Sequence, residues 1–312
     1  MKLLYDQFVT QTYVPIFSQP WWLDAACGAE NWDVFVVEQS GTLLAAMPYF
    51  IQEKDGIRKI TKAPNTQNNG ILFHYPAGQK YPARLAFEEK MINRVCDFIE
   101  SLPIDQYEQQ FHYSFTNWMP FFWRRYSEIT RYTYVIENPS DYEDVIKNYT
   151  SQVRNQLRKA EKTVRCEELS DIALFFKVNE MSFLRQGRAI PYSLNFVQRI
   201  YDACKARDAC KMLAAVDGEG HVHSVAFLVW DDASVYYLLN GTNPAYKASQ
   251  ANLFLIDQSI RIAGELGKKF DFEGSVILPI AHAFRDFGGI QTPYFRISKT
   301  FHNAPAESLP LL

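Results

Sequence analysis

The sequence predicts an α/β protein with mixed sheets, in which two consecutive domains share one order of elements. The stretch 235–274 reads as strand, loop, helix and strand. It combines an aromatic and β-branched run, a break at 240–244, apolar residues spaced by three and four, and a short second strand. A similar order, helix, three antiparallel strands, helix, strand, helix and strand, is predicted for each half of the chain. We therefore expect domains at 1–138 and 139–312.

In the first half, turn signals and hydrophobic period predict one element after another. The expected elements are a lead-in strand and turn over 1–18, a helix over 21–27, strands over 31–37, 42–50 and 56–62, a helix over 84–101, a strand over 106–115, a helix over 118–126 and a strand over 132–136. In the second half they are a basic helix within 141–165, helices over 172–185 and 194–207, strands over 211–216 and 221–230, the stretch 235–274, a helix near 282–287 and a strand over 294–299.

Composition excludes several classes of protein. The chain has 312 residues and a formal net charge of −3, which argues against a DNA-binding protein because such proteins are normally basic. Its beginning lacks a signal-peptide pattern, and no apolar run reaches the length of a membrane span. Five scattered cysteines show no metal-ligand spacing. We expect a cytoplasmic protein with reduced thiols and no metal.

Two motifs carry a family resemblance. They are FDFEGS, which ends at Ser275, and the Phe- and Gly-rich segment AHAFRDFGG over 281–289. With the strand, loop and helix before them, these motifs resemble the FemAB-like branch of the GNAT acyltransferase superfamily. The resemblance implies two tandem GNAT-like acyltransferase domains in a bacterial protein. It further implies transfer of an acyl or acetyl group from a thioester, with acyl-CoA such as acetyl-CoA as donor. The acceptor would be an amine or hydroxyl on a sugar or on a cell-envelope or peptide precursor.

Two other functions stay open at this point. A Fem-like aminoacyltransferase would use aminoacyl-tRNA as donor, and its feature here is a basic ridge that includes Arg154 and Arg158. Arginine binds phosphate bidentately, although such a ridge can equally be a solvated helix face. A degenerate GNAT pair could instead act as a non-catalytic binding module.

The candidate catalytic residues lie at the strand ends of 235–274. Asp271 and Glu273 alternate with phenylalanines and are expected on one face of a strand, where one carboxylate raises the pKa of the other and creates a base. Glu273 is the favoured base, and Tyr237 is expected to line the cleft. The alternative is that one carboxylate forms a structural ion pair with Arg285 or Lys299.

The candidate donor-binding residues follow the first strand of this stretch. Lys247, Ser249 and Gln250 precede the central helix, whose free backbone N–H groups suit a phosphate. Asn240 and Asn243 end the strand, where they could also serve as turn or capping residues. Acetyl-CoA-using members carry a glycine-rich loop here, and its absence leaves room for another donor.

Further residues are expected to contact the acceptor. His282 and Arg285 follow FDFEGS closely enough to share its cleft, and Arg154 and Arg158 could bind an anionic group. In the first half, Trp21 and Trp22 could form a wall for a sugar or acyl group, unless they belong to the core. Asn65 and Gln67 lie in an amide-rich loop whose donors and acceptors suit sugar hydroxyls.

Overall fold

The computed structural model describes residues 1–274 and 277–301, and the chain folds into two compact units. The first unit comprises residues 1–131 and the described residues 293–301, and the second comprises residues 132–292. The elements of the first unit are α1 (Lys2–Phe8), a 3₁₀ helix (Ile16–Ser18), α2 (Pro20–Cys27), β1 (Trp32–Gln39), β2 (Thr42–Lys54), β3 (Ile57–Thr61), β4 (Leu72–Phe73), α3 (Tyr81–Ser101), β5 (Gln106–Gln110), α4 (Met119–Trp123) and the start of β6 (Ser127–Ile136).

The second unit continues from β6 and contains the remaining helices. Its elements are α5 (Tyr142–Asn148), α6 (Ser151–Ala160), β7 (Arg165–Glu168), α7 (Ile172–Leu184), α8 (Leu194–Lys205), β8 (Cys210–Val216), β9 (Val222–Trp230), β10 (Ser234–Thr242), a 3₁₀ helix (Pro244–Ser249), α9 (Ala251–Glu265), β11 (Lys269–Asp271), α10 (Leu278–Asp286) and the first residues of β12 (Ile290–Thr300).

The two units repeat one arrangement of strands. In the first, β1, β2 and β3 are antiparallel neighbours, α3 crosses over, and β5 pairs parallel to β3. In the second, β8, β9 and β10 are antiparallel, α9 crosses over, and β11 pairs parallel to β10. The sheet of the first unit continues from β5 to β12, and that of the second from β11 to β6, both antiparallel. The predicted α/β class with mixed sheets is confirmed.

Each unit has its own apolar core. In the second unit the central helix α9 buries Leu255 and Ile260 among strands β8 to β11. Four preceding helices, α5 to α8, begin with a residue whose side chain accepts a backbone N–H of the first turn, which satisfies one of the amides that a helix start leaves unpaired. In the first unit α3 buries Met91, Ile92 and Val95 against the sheet.

The structure corrects three predictions about elements. Residues 2–8 form α1 rather than a lead-in strand, because Tyr5 and Phe8 are spaced for one face of a helix and are both buried. Strand β10 continues through Asn240 and Gly241 to Thr242 instead of breaking at them. The basic segment 141–165 forms two helices and the start of a strand, because the helix breaks between Asn148 and Ser151.

Candidate active site

Strand β11 is short and pairs along its whole length with the first three residues of β10. Their parallel register ends at Tyr236 and Asp271. Strand β11 stops there, whereas β10 continues to Thr242 beside β9. A β-bulge between Tyr237 and Leu239 interrupts the register of β10 with β9 just beyond this point. Because α/β sheets bind ligands beyond the carboxyl ends of their strands, the candidate site lies beyond the end of β11, beside the rest of β10.

The amino end of α9 follows directly after β10. The intervening 3₁₀ helix ends at Gln250, whose φ of 59° puts it in the left-handed region. Unlike α5 to α8, α9 has no side-chain cap among the residues that the structure describes. The first-turn N–H groups of a helix lack intrahelical partners, and together with the helix dipole they favour an anion.

Several predicted donor-binding residues lie in this turn. Lys247 is exposed, and the Ser249 hydroxyl donates to the carbonyl of Tyr246 at 2.7 Å. The side chain of Asn243 accepts the N–H of Ala245 at 3.1 Å, the turn-forming contact that was the alternative for this residue. Lys247 is therefore the cation of the turn that solvent and ligand can reach.

Asn240 is held through its backbone rather than its side chain. The side-chain amide of Asn179 in α7 donates to the Asn240 carbonyl at 2.6 Å, and Tyr192 in turn donates to Asn179. Nearby, Ser182 accepts the N–H of Thr242 at 2.8 Å. These contacts attach the end of β10 to α7, and sequence reasoning missed both α7 residues because they lie about sixty positions away along the chain.

Tyr237 lies in the interior, with its hydroxyl directed at the first turn of α9. It is 3% exposed, and the hydroxyl lies 3.4 Å from Oδ1 of Asn252, to which it donates. Burial raises the pKa of Tyr237, so its phenol stays protonated. Tyr236 is also buried and donates to Asp231 at 2.9 Å. Tyr237 thus connects the bulge of β10 to α9, a relationship that residue spacing alone does not reveal.

Asp271 is buried at the end of β11, where it accepts two hydrogen bonds. The hydroxyl of Thr133 and the backbone N–H of Glu273 both donate to its Oδ1. Burial raises the pKa of Asp271 from its ordinary 3.8 to about 6, although the two hydrogen bonds act in the opposite direction. Asp271 is therefore a carboxyl group that can change protonation near neutral pH.

Glu273 does not share a strand face with Asp271, and that prediction is wrong. Strand β11 ends at Asp271, and Glu273 has a φ of 67°, so the alternation of a strand no longer applies. The two residues are instead linked through the Glu273 backbone. Ser275, the last residue of the FDFEGS motif, lies outside the described residues.

The two cations of the predicted ion-pair alternative form ion pairs with other acidic residues. Arg285 pairs with its neighbour Asp286 at 3.0 Å, and Lys299 pairs with Glu100 at 2.8 Å. His282 and Arg285 are exposed on α10.

The two arginines of the basic segment differ in their surroundings. Nη1 of Arg154 donates to the carbonyl of Tyr149 at 2.9 Å and lies near the carbonyls of Ile146 and Lys147, so it closes the carboxyl end of α5. Arg158 is exposed and donates to Asn155 at 3.2 Å. Of the two, Arg158 presents its charge to solvent.

The candidate residues of the first unit divide between core and surface. Trp22 is fully buried and its indole N–H donates to Thr66 at 3.1 Å, so the prediction that it forms part of a substrate wall is wrong. Trp21 is half-buried and packs edge-on against Trp22. Asn65 and Gln67 are half-buried, and the Gln67 carbonyl accepts from Gln110.

The described residues also bear on metals and membranes. Over residues 1–274 and 277–301, no three or more histidines, cysteines or acidic residues are grouped so that they could hold a metal ion. Within the same ranges, no helix is both long and apolar enough to cross a bilayer.

One known protein family matches the part of the chain that contains the candidate site. A family model described as "Acetyltransferase (GNAT) domain" matches residues 147–276, a range that contains β10, α9 and β11. No curated protein matches the chain at a significant level.

Solved structures resemble the chain over most of its length. FemX matches with a TM-score of 0.71 at 10% identity, covering 95% of this chain and 95% of that one. The structure of L-PGS from Bacillus licheniformis matches with a TM-score of 0.51 at 9% identity, covering 94% and 89%. A tandem GNAT protein from the clavulanic acid biosynthesis pathway matches with a TM-score of 0.50 at 9% identity, covering 88% and 84%. The chain therefore has the tandem GNAT fold, and its residues 147–276 match the model of a GNAT acetyltransferase domain.

Proposed function

We propose that the protein transfers an acyl group from a thioester of coenzyme A to an amine or hydroxyl of a sugar or of a cell-envelope or peptide precursor. The observation that carries the proposal is that β11 ends at Asp271 while β10 continues to Thr242, beside the start of α9, which has no side-chain cap among the described residues. This arrangement offers a crevice for an extended thioester and a set of backbone N–H groups for its phosphates.

The residues of the turn fit such a donor. The first-turn amides of α9 and the ammonium of Lys247 would hold the pyrophosphate, with Ser249 and Gln250 beside it. Asn240 and Asn243 would border the crevice at the end of β10. An acyl-CoA would supply a carbonyl already activated for attack by a nucleophile.

The chain's own residues would then transfer one proton during the reaction. Glu273 would take the proton from the attacking amine as general base while the new C–N bond forms. The C–S bond would then break, and coenzyme A would leave as the thiol after taking up that proton. Asp271 would fix the backbone of Glu273 through the hydrogen bond at 2.8 Å and so act as a positioning residue. Tyr237, kept protonated by burial, would steady the first turn of α9 through its hydrogen bond to Asn252. Little else is required, because positioning supplies much of the acceleration in acyl transfer.

Calorimetric titration of the purified chain with CoA and acetyl-CoA tests the donor. We expect saturable binding that Lys247→Glu weakens about tenfold or more, since it reverses a charge that would contact phosphate. Lys177→Glu makes the same charge change at an exposed position of α7 and should leave binding within about twofold. Equal binding by wild type and Lys247→Glu would contradict the assignment of the turn.

An amine-acceptor screen with acetyl-CoA then tests the chemistry. For any acceptor that wild type acetylates, Glu273→Gln should lower kcat by about 10²-fold or more, the contribution typical of a general base. The affinity for CoA should hardly change. A variant with full kcat would exclude Glu273 as the base.

Aminoacyl-tRNA is a second candidate donor, which the overall similarity to FemX and the exposed Arg158 favour. If it is correct, charged tRNA binds with a steep salt dependence that Arg158→Gln reduces, while CoA does not bind. A chain that binds neither donor would instead be the non-catalytic binding module left open by the missing glycine-rich loop. The proposed site of action is the cytoplasm, where both donors occur.

A further inference from the structure

The first unit contains a cavity that lies outside the elements of the acyl-transfer site. Its volume is about 230 Å³, and it lies among the segment after α1, strand β4, the first turn of α3 and the turn after β5. Its lining includes four aromatic side chains, one arginine and one serine: Tyr13, Phe73, Tyr75, Phe115, Arg84 and Ser114. Pockets for drug-sized ligands usually measure about 300–1,000 Å³, so this cavity suits a single ring.

Arg84, the arginine that lines this cavity, is held in place by contacts with neighbouring side chains. Nε of Arg84 donates to Glu88 at 3.1 Å, and the guanidinium lies 4.1 Å from the centre of the Tyr75 ring. Glu88 is 7% exposed, and it also accepts from Tyr75 at 2.8 Å and from Asn117 at 3.0 Å. Glu88 is a buried carboxylate that accepts from three donors, and it fixes the position of the guanidinium. Little further entropy is therefore lost when a ligand binds to Arg84.

The fixed guanidinium still presents donors to the cavity. Arginine carries five N–H groups in a planar fork, and the contact with Glu88 uses the one on Nε. The Arg84 side chain is 48% exposed, so a ligand can approach it from solvent. Such a fork binds a carboxylate or phosphate bidentately.

The rest of the lining suits a carbohydrate ring. Aromatic side chains of the lining, such as those of Tyr13 and Phe73, can pack against the C–H faces of a ring. The hydroxyl of Ser114, which lies 2.8 Å from Nδ1 of His112, and that of Thr12 add polar groups at the edge of the cavity. The aromatic side chains therefore favour a ring, and Arg84 favours an acidic substituent on that ring.

We infer that this cavity binds an acidic sugar, a hexose-sized ring that carries a carboxylate or a phosphate on Arg84. The inference concerns binding in the first unit only and holds whichever acyl donor the second unit uses. It also predicts discrimination: the neutral sugar of the same size lacks the group that Arg84 recognises and binds more weakly.

Saturation-transfer NMR titration of the full chain tests this inference with D-glucuronate, D-glucose 6-phosphate and D-glucose. At least one acidic sugar should bind about tenfold or more tightly than glucose, because a hydrogen-bonded charge pair contributes that much. The tighter of the two acids identifies the substituent as carboxylate or phosphate. Equal affinity for all three sugars, or no saturable binding by any, would overturn the inference.

Three variants sharpen the test. Arg84→Gln should remove the preference for acidic sugars, whereas Arg94→Gln, which neutralises an exposed arginine on the same helix, should retain it. Because Arg84→Gln also removes a donor from buried Glu88, its thermal midpoint is measured in parallel. Tyr13→Ala removes an aromatic side chain that is 42% exposed, at little risk to folding, and should weaken all ring binding severalfold. Unchanged binding in Tyr13→Ala and Arg84→Gln would refute the proposed site.

Discussion

The carboxylate of Asp271 accepts the backbone N–H of Glu273 at 2.8 Å, so one candidate catalytic residue fixes the main chain of the other. Glu273 has a φ of 67°, a conformation that residues other than glycine adopt at some energetic cost. Gly274 follows with a φ of 54°, and a Cβ there would lie 2.5 Å from the carbonyl oxygen of Tyr132. The chain therefore turns sharply directly after the end of β11.

The raised pKa of Asp271 makes a prediction about stability. Its folded-state pKa of about 6 exceeds the ordinary 3.8, so the folded protein binds an additional proton between these values. The stabilisation from this additional proton is fully present below the unfolded-state pKa and is lost as pH rises through the folded-state pKa. The unfolding free energy of Asp271→Asn relative to wild type should therefore increase between about pH 4 and pH 7, by up to about 3 kcal/mol.

Chemical denaturation at a series of pH values measures this difference. Asp232→Asn is the matched control, since Asp232 is exposed, and its difference from wild type should stay constant with pH. A constant difference for Asp271→Asn as well would show that Asp271 has the same pKa in both states.

The close approach of α7 to β10 makes a second prediction. A Cβ on Gly241 would lie 2.5 Å from Cα of Asn179, and backbone atoms cannot move aside as a flexible side chain can. Gly241→Ala should destabilise the protein by about 1–3 kcal/mol, the range for overpacking. Gly218→Ala is the control, because no atom lies within 4 Å of the added Cβ and the glycine has no positive φ. Urea denaturation decides between them, and equal stability of the two variants would refute the constraint.

These examples show how far the sequence carries the fold. The order of β10, α9 and β11 follows from local signals: a β-branched and aromatic run, a helical period and a short apolar strand. Residues 2–8 form a segment too short to establish a helical period, so the spacing of Tyr5 and Phe8 is not enough to predict a helix. The parallel pairing of β10 with β11 could be inferred because a helix connects them.

The site was less predictable, because its geometry depends on contacts between distant residues. Asn179 meets Asn240, and Thr133 meets Asp271, through the folded sheet and not along the chain. The alternation that placed Glu273 beside Asp271 assumed a longer strand, and no local residue signals where β11 ends. Trp22 illustrates the same limit, since its burial depends on Thr66 in a loop far away.

Substitution of the two arginines of α6 should affect the stability of the protein to different extents. Arg154→Gln removes a charged donor from the carbonyls at the end of α5 and should destabilise the protein by about 1–2 kcal/mol. Arg158 is exposed, and Arg158→Gln should change stability by less than about 0.5 kcal/mol. Thermal denaturation provides the comparison. A destabilised Arg158→Gln beside an unaffected Arg154→Gln would reverse these roles.

A cluster at the β8–β9 turn makes the last prediction, with the opposite pH dependence to that of Asp271. Desolvation alone would raise the pKa of Asp217, but hydrogen bonds from the His221 backbone and from the side chains of His223 and His221 outweigh it and lower the pKa below the ordinary 3.8. The His223 ring in turn stacks at 4.1 Å on Tyr246 of the turn before α9.

A lowered folded-state pKa stabilises the protein above the unfolded value, and this stabilisation is lost as pH falls through the folded one. Asp217→Asn should therefore be less stable than wild type at pH 7, and the difference should shrink as pH falls below about 4. Because Tyr246 rests on His223, the same variant should also loosen the turn that carries Lys247 and weaken CoA binding at pH 7. Calorimetry at that pH measures the effect. Wild-type affinity in a destabilised Asp217→Asn protein would show that the cluster supports the fold alone and does not order the donor-binding turn.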